Sequence, residues 1–269
     1  MVGVYIYCVR ERREGVRRLA VAGIDDTETV FCFPYEDLEA VVSEVALDVY
    51  ASEKIRERAK HDLGWIKTKA VSHQTVIAEA MKGNGEPLAV IPMKFGIIFK
   101  DKARLRDFLN KDYSKIKEKL IGLRGKQEWG LKVFLKDKKR LEKHTKAKSA
   151  VIQEKEKEIA GLDEGTAFFM EENLKETISR EVDRELGVIV AEVSRRVEKT
   201  ACSVSEGKIL EKELVGRREP MVSNASYLVA GEAVEQFKME TAKVNQQLQD
   251  KGLSLECSGP WPPYNFASY

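Results

Sequence analysis

Pro87-Leu88-Ala89-Val90-Ile91-Pro92-Met93-Lys94-Phe95-Gly96-Ile97-Ile98-Phe99-Lys100 is an apolar run with turn residues before it and a helix start after it. Leu88 to Ile91 and Ile97 to Phe99 are apolar at successive positions, the pattern of a strand covered on both faces. The stretch is therefore read as an inner strand of a sheet backed by helices. Gly83-Asn84-Gly85 supplies the turn that feeds it. Pro92 has no ladder donor and Gly96 marks a bulge or a close backbone approach, so the strand is expected to break or bend between its two apolar halves.

Upstream of it, Val2 to Val9 alternates in the manner of a strand, and Arg10 to Arg18 reads as a charged loop. Thr29 to Phe33 and Leu38 to Val45 are two more short strands, joined by a turn at Pro34-Tyr35-Glu36-Asp37, which gives a three-stranded meander. Ser52 offers an N-cap to one long amphipathic helix carrying Ile55, Ala59, Leu63, Ile66, Ala70, His73, Ile77 and Met81. Downstream, Asp101 caps a helix whose stripe is Leu105, Phe108, Leu109, Ile116 and Leu120, stopped by Gly122 and Gly125. A fresh strand at Gln127 to Phe134 places a boundary near Gly125, giving domains 1–125 and 126–269.

In the second half, 136–148 carries seven basic and two acidic side chains and 154–185 eleven acidic and five basic, so two oppositely charged helical stretches are expected to face each other. Leu174, Ile178, Val182, Leu186, Ile189, Val193 and Val197 keep one buried stripe. Lys199 to Ser205 and Met221 to Ala230 read as strands. A helix with Val234, Phe237, Thr241, Val244 and Leu248 closes at Gly252, and Leu253 to Cys257 is a last strand. The order strand, helical segment, strand, strand, helix, strand is that of a ferredoxin-like split βαβ fold with an enlarged helical crossover. The fold class is thus α+β with two domains.

At 269 residues, 43% hydrophobic and a net charge of +2, the chain has a globular composition and no global field that would draw it onto nucleic acid or an anionic membrane. Its uncharged runs fall short of the roughly 18 residues of a membrane span, and its start does not resemble a signal peptide, so a soluble intracellular protein is expected. Cys8, Cys32, Cys202 and Cys257 are scattered singly, which favours reduced core thiols over a disulfide frame or a zinc site. His73 reads as a core histidine, His144 as a surface one, and His61 as stacking on Trp65 four residues on. No nucleophile elbow, Walker loop or dinucleotide fingerprint is present. Tyr5, Tyr7 and Lys94 to Phe99 superficially match the stacking aromatics of an RNA-binding sheet, but the second stretch lacks the first glycine and one aromatic of that pattern. The tail Cys257-Ser258-Gly259-Pro260-Trp261-Pro262-Pro263-Tyr264-Asn265-Phe266 is stiff and aromatic, suited either to packing on its own domain or to anchoring a partner.

Taken in order, Pro92-Met93-Lys94-Phe95-Gly96, Glu128-Trp129-Gly130-Leu131-Lys132-Val133 and Gly259 to Phe266 resemble the marker segments of the GvpL/GvpF family of gas vesicle proteins. Tyr5-Ile6-Tyr7, Leu38 to Ser43, His73 and Asn224 to Val229 add to that resemblance, which spans nearly the whole chain. At Lys94 the family commonly has arginine, so a planar bidentate contact is not implied there. The resemblance implies a non-enzymatic accessory or structural protein required for gas vesicle formation, with no catalytic, cofactor-binding or metal residues. It would bind the hydrophobic shell protein and other accessory proteins at the gas vesicle within the cytoplasm, and no nucleic acid, membrane or small-molecule substrate. Phe95, Trp129, Trp261 and Tyr264 are the expected partner-binding residues. The alternative is a ferredoxin-like regulatory or RNA-binding module.

Overall fold

The computed structural model describes residues 1–15, 18–26, 29–83, 87–209 and 217–267. The chain divides into two compact units, one of Met1–Glu128 with Pro260–Tyr269 and one of Trp129–Gly259. This differs from the expected division in two ways. The break falls inside a strand rather than at Gly125, and the proline-rich tail belongs with the first unit, because Tyr264 packs on that unit's core.

The first unit is built on β1 (Val2–Glu11), β2 (Arg18–Ala22), β3 (Thr29–Tyr35), β4 (Leu38–Ala46), β5 (Val90–Pro92) and β6 (Ile98–Phe99), in the order β2-β3-β4-β1-β5 with β6 also on β1. The central strand is β1, antiparallel to β4 on one side and to β5 and β6 on the other. The long apolar stretch is therefore not an inner strand but an interrupted edge. Val90 to Pro92 pairs with Arg10 to Cys8 and Met93 N–H donates to the Tyr7 carbonyl at 2.9 Å. The backbone then leaves the ladder, and at Gly96, whose φ is +88°, it turns back so that Ile98 and Phe99 rejoin β1 at Tyr5 and Val4. Both faces are apolar because helices, not further strands, cover this edge. The fourth strand β2 falls at the end of what reads as a charged loop, its only buried side chain being Leu19. The feeding turn at Asn84-Gly85 lies outside the described residues.

Helices α1 (Leu47–Tyr50), α2 (Ser52–Ala59), α3 (Leu63–Ala80) and α4 (Lys102–Leu123) complete this unit before the tail. The expected single helix is broken at 60–62. Asp62 leaves helical φ/ψ and its carboxylate accepts from Trp65 N–H at 2.9 Å, so it starts a new helix. The first segment begins one residue earlier than a Ser52 cap allows, with Ala51 at the N-cap. Asp101 does cap α4, accepting from Arg104 N–H at 2.8 Å. Arg58, not His61, lies over Trp65, 4.4 Å from the ring centre.

The second unit contains β7 (Lys126–Leu135) from Trp129 on, α5 (Lys138–Lys148), α6 (Ala150–Ile159), α7 (Glu164–Glu198), β8 (Ser203–Glu206), β9 (Met221–Ala230), α8 (Val234–Gln249) and β10 (Leu253–Trp261) as far as Gly259. Its sheet runs β10-β7-β9-β8, with β8 antiparallel to β9. Leu131 and Val133 of β7, Val182, Ile189, Val193 and Val197 of α7, and Phe237 and Val244 of α8 form one core. The oppositely charged helices do meet. Lys148 pairs with Glu185 at 2.7 Å, Ser149 donates to Glu181 at 2.8 Å and Lys155 to Thr177 Oγ1 at 3.0 Å. Those partners descend α7 as α5 and α6 ascend, so the layer is antiparallel. Of the cysteines expected in cores, Cys8 is buried and Cys32 half-buried, but Cys202 and Cys257 are exposed, because both lie at margins of the sheet.

Candidate partner-binding site

Tyr5 and Tyr7 stand on the central strand with their rings 4.8 Å apart, both wholly buried. They share a side because residues two apart along a strand face the same way, and both belong to the core of the first unit. That burial removes them as a surface on which bases could stack. Beside them, His73 of α3 is 3% exposed. Its Nε2 lies 3.1 Å from the Met93 carbonyl, which can only accept, so Nε2 carries the proton and Nδ1 accepts from the Tyr5 hydroxyl at 2.9 Å. The Tyr5 hydroxyl in turn accepts from Gly96 N–H at 3.1 Å. Tyr7 Oη meets Ser43 Oγ at 2.8 Å and accepts from Ile24 N–H at 2.8 Å.

These bonds hold the Met93 to Gly96 loop at both ends, and each uses a buried polar group that would otherwise be costly. Burial lowers the His73 pKa to about 4, so the ring is neutral near pH 7, as this hydrogen-bond chain requires. Burial also raises Tyr5 well above the ordinary phenol range and Tyr7 to about 12, so both stay protonated donors. Phe95 packs edge-on against His73, with ring centres 5.9 Å apart, and against Tyr5 at 6.5 Å, and it is half-buried. Lys94 is exposed.

The tail closes over the same core. Tyr264 opens α9 (Tyr264–Ala267) and packs on the cluster of Tyr5, Tyr7 and Cys8, its phenol pushed up by burial. Asn265 donates through its backbone N–H (3.1 Å) and Nδ2 (2.6 Å) to the buried Glu128 carboxylate. Trp261 is 44% exposed. Trp129 is 7% exposed in the core of the second unit, 6.2 Å from Phe237 with Lys238 over its ring. The structure thus gathers Phe95 and Tyr264 on one core, leaves Trp261 at the surface and assigns Trp129 to a separate core.

The match extends along the chain. Residues 3–268 fit the family described as gas vesicle synthesis protein GvpL/GvpF. The chain belongs to the GvpL/GvpF family. Gas vesicle protein L2 of Halobacterium salinarum is 28% identical over 98% of this chain and 91% of its own length. Gas vesicle protein L of a Streptomyces species is 25% identical, covering 98% and 92%. The crystal structure of GvpF from an Anabaena species superimposes with a TM-score of 0.73 at 18% identity over 100% of this chain and 99% of that one. That of GvpF from Microcystis aeruginosa gives 0.67 at 19% identity over the whole of both chains. The mixed helix-and-sheet fold is therefore that of GvpF, and the GvpL/GvpF assignment gives the chain a gas vesicle accessory role.

Sequence reasoning missed the buried pair of Arg10 with Glu39, 2.7 Å apart and both almost wholly enclosed. Arg10 also donates to the Ala80 carbonyl at 2.5 Å, tying α3 to β1. The available signal was that Arg10 extends the alternation of β1 rather than opening a loop. Among the described residues no group of His, Cys, Asp and Glu is placed to hold a metal, and no helix is long and apolar enough to cross a membrane.

Proposed function

We propose that this protein acts without catalysis in building gas vesicles, at the vesicle within the cytoplasm, by binding the hydrophobic shell protein and other accessory proteins. A shell subunit with one strongly apolar face aggregates before assembly unless a soluble partner covers that face. The observation that carries the reading is the use made of the Tyr5 and His73 network. It holds the Met93 to Gly96 loop in place and leaves Lys94 at the surface beside a half-buried Phe95.

Phe95 and Trp261, both in the first unit, are the contact residues in this reading, while Tyr264 supports that unit's core and Trp129 the separate core of the second unit. The second unit is read as ferredoxin-like. Its four strands lie in the order fourth, first, third, second, and helices α5 to α7 form the enlarged crossover. The test is recovery of co-expressed shell protein with the wild type and with Phe95→Ala, Trp261→Ala and Trp129→Ala. Loss with folded Phe95→Ala or Trp261→Ala supports the contact surface, and unchanged recovery removes both residues from it.

A further inference from the structure

The helical layer of the second unit holds opposite charges that its own fold does not bring together. Residues 163–172, Asp-Glu-Gly-Thr-Ala-Phe-Phe-Met-Glu-Glu, contain four acids and no base; Glu172 pairs with Lys175 along the same helix, and Glu164 and Glu171 stand outside the ion pairs formed among the described residues. They form the first turns of α7, beyond the end of α6, and Phe168 and Phe169 there are 66% and 76% exposed. At the other end of the layer, Lys136, Lys138, Lys139 and Lys143 are exposed at the start of α5, and none has a carboxylate partner among the described residues. Among the described residues the ion pair between α5 and α7 is that of Lys148 with Glu185, midway along.

The spacing makes these ends complementary between two copies. From Phe168 to Glu185 is about 25 Å of helix, and from Lys148 back to Lys138 about 15 Å, so the acidic aromatic tip and the lysine face lie about 40 Å apart along one layer. Two layers set side by side in opposite directions bring each tip onto the other's lysine face, making the same contact twice. That is the self-complementary arrangement of a two-fold dimer. A strip about 40 Å long and about 10 Å wide on each copy approaches the ~1,000 Å² of total buried surface that a specific interface needs. Exposed phenylalanines ringed by acids suit a surface that is apolar and basic at once, as the aliphatic stems and ammonium heads of lysines are.

We propose that the protein pairs with a second copy of itself through this antiparallel contact, the α7 tip of each lying on the α5 lysine face of the other. The proposal is independent of how the shell protein binds. Sedimentation velocity on the full chain tests it, in about 0.1 M and about 1 M NaCl, where the screening length falls from about 10 Å to about 3 Å. A dimer is expected at the lower salt, weakened at least about tenfold at the higher. Phe168→Ser with Phe169→Ser is expected to give a monomer. So is Glu171→Lys with Glu172→Lys, and so is Lys138→Glu with Lys139→Glu; all of these positions are exposed, and the fold is checked by circular dichroism. Combining the last two pairs in one chain is expected to restore the dimer. A wild type that stays monomeric at about 100 μM in the lower salt, where even a weak dimer would form, overturns the proposal. So does a dimer indifferent to both charge reversals, or one that the combined variant fails to restore. A monomer whose Phe168 and Phe169 become shielded from hydroxyl radicals when shell protein is added also overturns it, and gives the tip to that partner.

Discussion

His73→Gln removes the group in the buried Tyr5–His73–Met93 chain that titrates nearest to neutral pH. With the folded pKa lowered from 6.5 to about 4, the unfolded chain takes up a proton between those values while the folded chain does not. Stability from this site is thus fully present above about pH 6.5, declines as pH falls, and stops declining below about pH 4. Each pH unit in that window is worth about 1.4 kcal/mol, so lowering the pH from 7.5 to 5.0 costs the wild type about 2 kcal/mol at this residue. The variant has no such slope. At pH 7.5 it should be less stable by about 1–3 kcal/mol, because Tyr5 and the Met93 carbonyl lose their buried partner. At pH 5.0 that gap should shrink by about 2 kcal/mol. Urea unfolding in a Trp129→Phe background checks it, since Trp65 and Trp261 then report on the first unit. A gap that stays constant or widens as pH falls would refute the assignment of a neutral, doubly bonded imidazole.

Trp129→Ala should cost about 3–5 kcal/mol through the cavity it leaves, whereas Trp261→Ala should stay within about 0.5 kcal/mol of wild type; chemical denaturation separates the two. Glu39→Leu should cost about 3–5 kcal/mol by stranding the Arg10 guanidinium, and adding Arg10→Met should recover much of that in a double-mutant cycle. Gly252→Ala should destabilise by at least about 1–2 kcal/mol from the left-handed φ of +79° alone, with the new methyl also pressed against the Asp137 carbonyl oxygen. In the native protein at pH 8, a thiol reagent should label Cys202 rapidly and leave Cys8 untouched until unfolding, since burial pushes the Cys8 thiol up to about 12.

What could be read from the sequence was whatever depends on local period. The stripes of α4, α7 and α8 place Leu105, Val182 and Phe237 in cores, and Asp101 caps as its position before the stripe predicts. Sheet position was not legible from the same pattern. Val90 and Ile91 are buried on both faces whether they lie inside a sheet or at an edge under helices, and only pairing to β1 decides between the two. The break at Asp62 was hidden because Ile66, His73 and Ile77 continue the period of Ile55, so the capping carboxylate was the sole signal. At the site, the aromatic residue types stood out in the sequence, but whether each faces solvent depends on partners distant in the chain. Trp129 and Trp261 sit in comparable aromatic segments and differ in burial, the first enclosed against Phe237 of α8 at 7% exposure and the second 44% exposed.

The first unit is discontinuous, and its closing segment emerges from the ribosome only after the whole of Trp129–Gly259 has been made. At ordinary translation speed that is a delay on the order of ten seconds. Throughout it Glu128 waits for Asn265, and the floor beneath Tyr264 stays uncovered. The nascent chain must therefore carry an unfinished amino-terminal half while the inserted half folds, which makes that interval the one in which a chaperone, or an early partner occupying the tail's place, has most to offer.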